Sequence, residues 1–464
     1  MKRHLFIIAA TACSSVSLTA QDLPGFRTSN YSGVTGIFSN PANAAQNNYK
    51  WDVNLFGIGV GVGNNNASFD LKNIGELVKN DSLINQFIGT RGKSSNALLG
   101  VDIKALSVLI GIDKKSGLAL TTRGRMMLNA TDLDGTLGKQ IIDGNSDDGI
   151  TFPYTINSDK NMRVTANAWS EIGLTYGRVL LDNGNHFIKG GITAKYLAGV
   201  ANAYVNVNRL QGTLTQEPVT DDVYLSNASG GLEIGTGGIS LDNFDVAELT
   251  SFKSSGFGAD LGVVYEWRPG YEAGTETAGN KYKLRVGVSL QDIGSIKYKK
   301  DMANSGGYTI DISGLEALNL NEVGEQPIDE IKDYLDSKPQ LFTPLSSTGS
   351  NYKVTLPTML NLDVDYLILA NLYVNAAAHI NLVATDKKFF NTNYYNSFSV
   401  TPRYETKKLG VFLPLNYSAL TSFNAGLAFR LGPVYLGSGS VLTALFNSSK
   451  QADIFLGVRF GGLR

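Results

Sequence analysis

Two neighbouring stretches, YSGVTGIFSNPAN at residues 31–43 and WDVNLFGIGVGVG at residues 51–63, decide how the rest of the chain is read. In the second, Phe56, Ile58, Val60 and Val62 alternate with Gly57, Gly59, Gly61 and Gly63. A period of two gives a strand with one apolar face, and glycines on the other face leave room for backbone or a plug to approach. A dinucleotide-binding loop is excluded by spacing, because Val62 stands where the third glycine of G-x-G-x-x-G belongs. The first stretch sits in a polar leader without helical periodicity, residues 21–50. Pro41 fixes a turn there, and Asn40 can bond its own backbone. The reading is a leader lodged inside a β-barrel, followed by the first strand of the wall.

Working outward, residues 1–20 carry Lys2 and Arg3, an apolar run over 5–12 and a small residue, Ala20, before Gln21. That is a secretory signal peptide with cleavage expected after Ala20, and its apolar run is too short to span a bilayer as a helix. Cys13 is the only cysteine and lies inside it, so the mature chain has no thiol for disulfides, thiolate metal sites or cysteine catalysis. The expected division is residues 1–20 signal, 21–50 leader and 51–464 barrel. Removing Lys2 and Arg3 leaves 38 basic residues against 41 acidic, which offers nothing to nucleic acid. With 51 Gly, 21 Tyr, 21 Phe and only 17% charged residues, the composition suits a wall apolar on one side and polar on the other.

Alternating runs recur at 51–63, 97–112, 117–130, 163–178, 186–201, 256–268, 281–296, 353–366, 371–383, 396–406, 409–418, 422–431, 433–446 and 452–461. About fourteen strands are therefore predicted, each long enough to cross an outer membrane when tilted. Short turns at 113–116, 181–185, 367–370, 407–408 and Gly432 alternate with long insertions at 64–96, 131–162, 202–255 and 297–352. Long loops gathered on one side belong to an outer-membrane barrel with both termini in the periplasm. Two insertions read as partly helical: 71–88, and 328–335 after Pro327.

Parity assigns the faces. Leu284, Val286, Val288 and Leu290 oppose Arg285, Ser289 and Gln291, and Phe257, Leu261 and Val263 oppose Asp260 and Glu266. A charge facing lipid at the midplane costs about 2–4 kcal/mol, so the charged parity is assigned to the lumen. The inward set is Asp102, Lys104, Arg123, Arg125, Glu171, Lys189, Lys195, Asp260, Glu266, Arg285, Asp363, Asp365, Arg403, Glu405, Arg430, Asp453 and Arg459. Its signs nearly cancel, which fits paired charges in a filled lumen better than the one-sign ring of an ion-selective pore. In residues 99–112 the apolar parity switches after Ala105, predicting a bulge at Ala105-Leu106 and raising the question of a sideways opening there.

Catalytic and metal chemistry find no foothold. The three histidines, His4, His186 and His379, match no HExxH, paired-His or Cys/His spacing, and no nucleophile elbow is present. Neither an enzyme nor a cofactor is expected. Asp132, Asp134, Asp143, Asp147 and Asp148 do not match the twelve-residue calcium loop and read as a solvated acidic loop.

Ser39-Asn40-Pro41-Ala42-Asn43 resembles the NPA element near the N-terminus of the long-chain fatty acid transporter family, FadL-like barrels of fourteen strands with an N-terminal hatch. Gly258-Ala259-Asp260-Leu261-Gly262-Val263, Val288-Ser289-Leu290-Gln291-Asp292-Ile293-Gly294 and Leu356-Pro357-Thr358 are similar in style, and are also similar to PorV-like shuttle barrels of type IX secretion. Over almost the whole mature chain the sequence resembles a family of outer-membrane barrels of unknown function. The resemblance implies a hatch at Asn40, Pro41 and Ala42. It also implies an outer-membrane channel for small hydrophobic molecules or, alternatively, a barrel serving as partner or scaffold to a secretion or surface-assembly protein. The chain departs from the transporters in lacking an apolar pocket signature.

Overall fold

A computed structural model of the protein describes residues 25–66, 68, 94–138, 151–239, 254–273, 282–326, 330–346, 349–384 and 388–464. The expected signal peptide, the proposed helix at 71–88, Pro327, and Asp143, Asp147 and Asp148 lie outside the described residues.

The alternation folds into a closed antiparallel wall of fourteen strands. In chain order these are β1 (Tyr49–Asn64), β2 (Ser94–Lys104 continued by Ser107–Gly111), β3 (Ser116–Asp134), β4 (Asn161–Asp182), β5 (His186–Gln216), β6 (Ser254–Trp267) and β7 (Leu284–Lys299). The circuit continues with β8 (Asn351–Thr355 and Met359–Leu369), β9 (Leu372–Asn381), β10 (Ser397–Glu405) and β11 (Leu409–Phe412 and Leu415–Ser418). It ends with β12 (Ser422–Ala425 and Leu427–Leu431), β13 (Val434–Ser438) and β14 (Gln451–Leu463). Pairing of β14 with β1, from Tyr49 opposite Leu463 to Gly63 opposite Gln451, closes the circuit. Closure leaves no sheet edge, the condition for strands to cross a hydrocarbon layer.

Outward positions are apolar along every stretch that alternates: Leu118 and Leu120, Ile172 and Leu174, Leu261 and Val263, Leu362 and Val364, Leu436, Leu456 and Phe460 are exposed. Their neighbours Thr121, Thr175, Asp260, Asp365 and Arg459 are buried inside. A closed barrel with an apolar band and a polar interior is an outer-membrane barrel.

The predicted phase break is present: β2 is interrupted at Ala105-Leu106. Two other expectations need correction. The run at 433–446 is not all strand; β13 stops at Ser438 and Val441–Phe446 forms an α-helix, whose apolar residues at i, i+3 and i+4 also satisfy a helical period. Nor does β5 stop at residue 201; it runs to Gln216, rising above the membrane.

On that extension the chain builds an outer layer. Val223–Gly238 pairs with β5, Gly306–Asn319 pairs with Val223–Gly238, and short edge strands at Phe342–Pro344 and Tyr154–Asn157 finish the sheet. Helices Leu320–Glu325 and Ile331–Asp336 cover it, the second matching the helix expected in this insertion. Ile156, Leu210, Leu214, Leu225, Ile310 and Phe342 belong to its common apolar core.

Candidate functional site

Residues 25–48 lie inside the barrel at the end that carries the short turns. Two 3-10 helices, Gly33–Phe38 and Pro41–Ala44, shape the segment. Asn40 caps the second: its Oδ1 accepts from Ala42 N at 3.0 Å, and Pro41 takes the first helical position, where a missing N–H costs nothing. The same amide turns outward and donates to Val263 O (3.3 Å) and Val288 O (3.2 Å), so one side chain ties the turn to β6 and β7. Ala42 is fully buried.

The wall receives this turn through missing side chains. A Cβ on Gly191 would overlap the Pro41 carbonyl, one on Gly262 would overlap Asn40 Oδ1, and one on Gly117 would overlap the Ala44 carbonyl. Gly177 is similarly close to Ala45 N. The glycines of β1 serve otherwise: Gly57 and Gly63 make room for Tyr435 and Thr421 of the neighbouring wall. The notches for the plug are therefore on β3 to β6, not on β1, because residues 40–45 cross to that side of the lumen.

Polar clamps complete the seat around the circumference. Asp52, fully buried, accepts from Val34 N (2.7 Å) and pairs with Arg459 (2.5 Å), which donates to Tyr31 O. Glu405 accepts from Ser29 Oγ (2.5 Å) and Asn30 Nδ2 (2.7 Å) and is held by Arg403, itself paired with Asp365 at 2.5 Å. Arg285 reaches Asn43 Oδ1 at 3.0 Å and Asp363 at 2.7 Å. Lys189 donates to Ala45 O, Ser289 to Ser39 O and Gln291 to Phe38 O.

Above the segment, an ion network runs along the inner wall of β2 to β7. Asp102 joins Lys104 and Arg123 (2.5 Å to the latter); Arg123 and Arg125 flank Glu171; Arg125 reaches Asp292 (2.7 Å); and Lys195 reaches Asp292 (2.8 Å) and Asp260 (2.9 Å). Four cations face four carboxylates, so the network is formally neutral. Buried pairs of this kind are costly to break, because removing one partner strands the other charge. Phe38 of the N-terminal segment lies under Lys104 and Arg123, with the Arg123 guanidinium 5.3 Å from its ring centre.

Two participants escaped the parity reading. Asp292 has the parity of Leu290 and Val288 and reads as lipid-facing, yet its side chain is buried in the network. A bulge in β7 sets Gln291 and Asp292 against a single residue of β6, and Asp292 takes a left-handed φ of 57°. A charge on the lipid parity was the available signal of that bulge. The other is residues 388–396, a strap from the β9–β10 loop that folds back across the lumen. Asn129 and Asn393 exchange two hydrogen bonds of 3.0 Å; Thr165 donates to Phe389 O, Asn202 to Phe390 O, and Arg125 to Tyr394 Oη. Its sequence, FFNTNYYN at 389–396, carries aromatics and asparagines that an exposed loop does not need.

The acidic loop residues have local partners: Asp132 pairs with Lys160 at 3.2 Å, and Asp134 accepts from Thr136 N and Leu137 N. His186 bonds Tyr265 Oη at the short-turn end.

Solved barrels of similar architecture include a FadL homologue of Pseudomonas aeruginosa, 10% identical over 96% of this chain and 98% of that one, with a TM-score of 0.43. The toluene transporter TodX of P. putida is 9% identical over 94% and 95% (TM-score 0.41), and the toluene transporter TbuX of Ralstonia pickettii is 9% identical over 93% and 94% (TM-score 0.40). No curated protein matches the chain in sequence. A family model, described as a family of unknown function (DUF5723), matches residues 41–439, from the NPA turn to the end of β13, and the chain belongs to that family.

Proposed function

We propose that the protein is a gated outer-membrane channel for small hydrophobic molecules, with the N-terminal segment as its hatch and Asn40, Pro41 and Ala42 as the part of the hatch seated in the wall. After removal of the signal peptide at Ala20, residues 21–50 form this hatch and 51–464 the barrel. One observation carries the reading. The interruption of β2 at Ala105-Leu106 lies opposite Leu55-Phe56 of β1, where the ladder between the two strands passes from Asn54 opposite Ser107 to Gly57 opposite Lys104. Leu55 (47% exposed), Phe56 (46%) and Leu106 (58%) present an apolar mouth to the lipid there. Behind it, Asn54 Nδ2 donates to the carbonyls of Lys104 (3.2 Å) and Ala105 (3.1 Å), a polar latch that closes the gap from inside. The lumen-facing charges Asp102, Lys104, Arg123, Arg125, Asp260 and Arg285 hold wall and hatch in register in this reading, rather than contacting the substrate.

The test is uptake of a hydrophobic fluorescent dye into proteoliposomes. Leu55→Cys with Leu106→Cys, oxidised across the gap, is expected to stop uptake, and reductant to restore it; deletion of residues 21–43 is expected to raise leak. Unchanged uptake in the oxidised pair rules out the sideways route.

A second reading, a scaffold for a secretion or surface-assembly protein, is favoured by the outer layer, whose own apolar core makes it a folded platform rather than a set of loops. It requires that trimming 202–255 or 297–352 abolish function while deletion of 21–43 is tolerated.

A further inference from the structure

Three lysines face outward at the outer end of the wall. Beyond the bulge in β7 the parity of the strand is reversed, so Ile296 and Tyr298 are buried in the apolar cluster of the lumen while Lys297 and Lys299 are exposed on the other face. On β8 the buried Val354 turns Lys353 outward in the same way. The register sets Lys297 directly opposite Lys353, with Lys299 two residues along the same face. We infer that these lysines bind the phosphate of an anionic lipid in the outer leaflet of the membrane.

Like charges directly opposite one another on a sheet, with Cβ atoms about 4.5–5.5 Å apart, are destabilising. Among the described residues no carboxylate pairs with any of the three. Asp301, the acid nearest to them in the chain, accepts from Ala303 N and Asn304 Nδ2, both at 3.0 Å, within its own turn. An anion set between the ammonium groups removes the repulsion, and each ammonium has three donors to offer a phosphate.

The height of the cluster selects a lipid over a dissolved anion. Lys297 lies opposite Ser255 of β6, and the next outward position below it, Ser295, lies opposite Phe257. Phe257 is 76% exposed and meets Tyr196 of β5 edge-on, ring centres 5.8 Å apart; beneath them the exposed pair Ile192 and Leu261 continues the apolar band. The lysines therefore stand at the upper edge of the band, where headgroups meet water, with an apolar ledge below them for acyl chains. A dissolved anion uses the lysines and leaves the ledge bare. At the outer ends of β10 to β12 the exposed positions are a neutral aromatic row, Phe398, Tyr417 and Phe423, so the cations are not a general property of the rim.

The inference rests on the barrel and its membrane level, not on the sideways route, and its readout is independent of dye passage. The test is native mass spectrometry of the full-length barrel, released from a neutral polyoxyethylene detergent, with dilauroyl phosphatidic acid, dilauroyl phosphatidylcholine or glycerol 3-phosphate added. Phosphatidic acid is expected to be retained at least about tenfold more tightly than the choline lipid, which has the same tails. Lys297→Gln with Lys353→Gln is expected to weaken phosphatidic acid at least about tenfold and leave the choline lipid unchanged, while the same two positions changed to Arg stay within about threefold of the parent. Phe257→Ser is expected to weaken both lipids, because the ledge serves their tails. Heat-dependent gel migration reports that each variant is a folded barrel. Displacement of phosphatidic acid by an equal concentration of glycerol 3-phosphate overturns the assignment in favour of a dissolved anion. Equal retention of the two lipids, or parent-like binding in the double Gln variant, overturns it and leaves the lysines to an acidic protein face.

Discussion

The two ends of the barrel are built with different chemistry. At the short-turn end residues 25–48 meet the wall through carboxylates, amides and carbonyls together with separate small apolar clusters, Phe26 with Phe412, Tyr435 and Phe455, and Val34 and Ile37 with Leu109 and Ala119. At the outer end the sheet above β5 is held by one large apolar core around Leu214, Leu225, Ile310 and Phe342. Each polar bond of the hatch exchanges for a bond to water at a net cost of only about 0.5–1.5 kcal/mol. The apolar core has no such substitute and must be exposed as a unit. In the gated-channel reading proposed above, this difference favours movement in the N-terminal segment and rigidity in the outer layer.

Arg403→Met attacks the polar side hardest. It strands Asp365 and Glu405, both fully buried, and is expected to cost about 3–5 kcal/mol. Because Glu405 holds Ser29 and Asn30, protease cleavage within residues 25–48 should rise with it, while hydrogen exchange over Val223–Gly238 stays at the parent level. Equal loosening at both ends would break the comparison.

Leu214→Ala is the converse. Truncating this fully buried side chain should cost the outer layer about 2–5 kcal/mol, visible as faster exchange in β5 beyond residue 201, with single-channel conductance unchanged.

Gly191→Val sharpens the assignment of the seat. The new side chain overlaps the Pro41 carbonyl and should cost about 1–3 kcal/mol, felt by the hatch rather than the wall. The readout is larger or more frequent conductance steps in planar bilayers. A quiet channel would mean the notch is not what holds the segment.

The smallest effect is electrostatic and confined to the outer layer. Glu322 accepts from Lys338 Nζ at 2.8 Å and from Tyr334 Oη at 3.1 Å, and this bonding, Lys338 first, holds its carboxyl below the usual range. A carboxylate depressed in the folded state contributes stability above its unfolded value and loses it as pH falls through the folded value. Protection of helices Leu320–Glu325 and Ile331–Asp336 should therefore fall modestly in acid, and salt should weaken the effect because the pair is exposed.

How much of this was readable in the chain differs by element. Alternation at Leu284 to Leu290 marks both faces of β7, because a strand's side chains can only alternate. The phase slip after Ala105 likewise marks the break in β2. Asp292 was missed although its charge on the lipid parity signalled the bulge, and the helix at Val441–Phe446 was not readable, since a short apolar run satisfies both periods. The strap at 388–396 was not readable either. Whether a loop lies over a barrel or folds into it depends on partners such as Asn129, Thr165 and Asn202, which lie 188 to 264 residues away in sequence.

The sequence by itself determined the barrel, its strand number and which face meets lipid, because those follow from a local period of two and the cost of charge in hydrocarbon. Only the tertiary structure decided what fills the barrel. The glycine notches for Pro41, the clamps on residues 25–48 and the seat of the strap on β3 to β5 are made by groups that closure of the wall brings together, and no local pattern encodes their meeting.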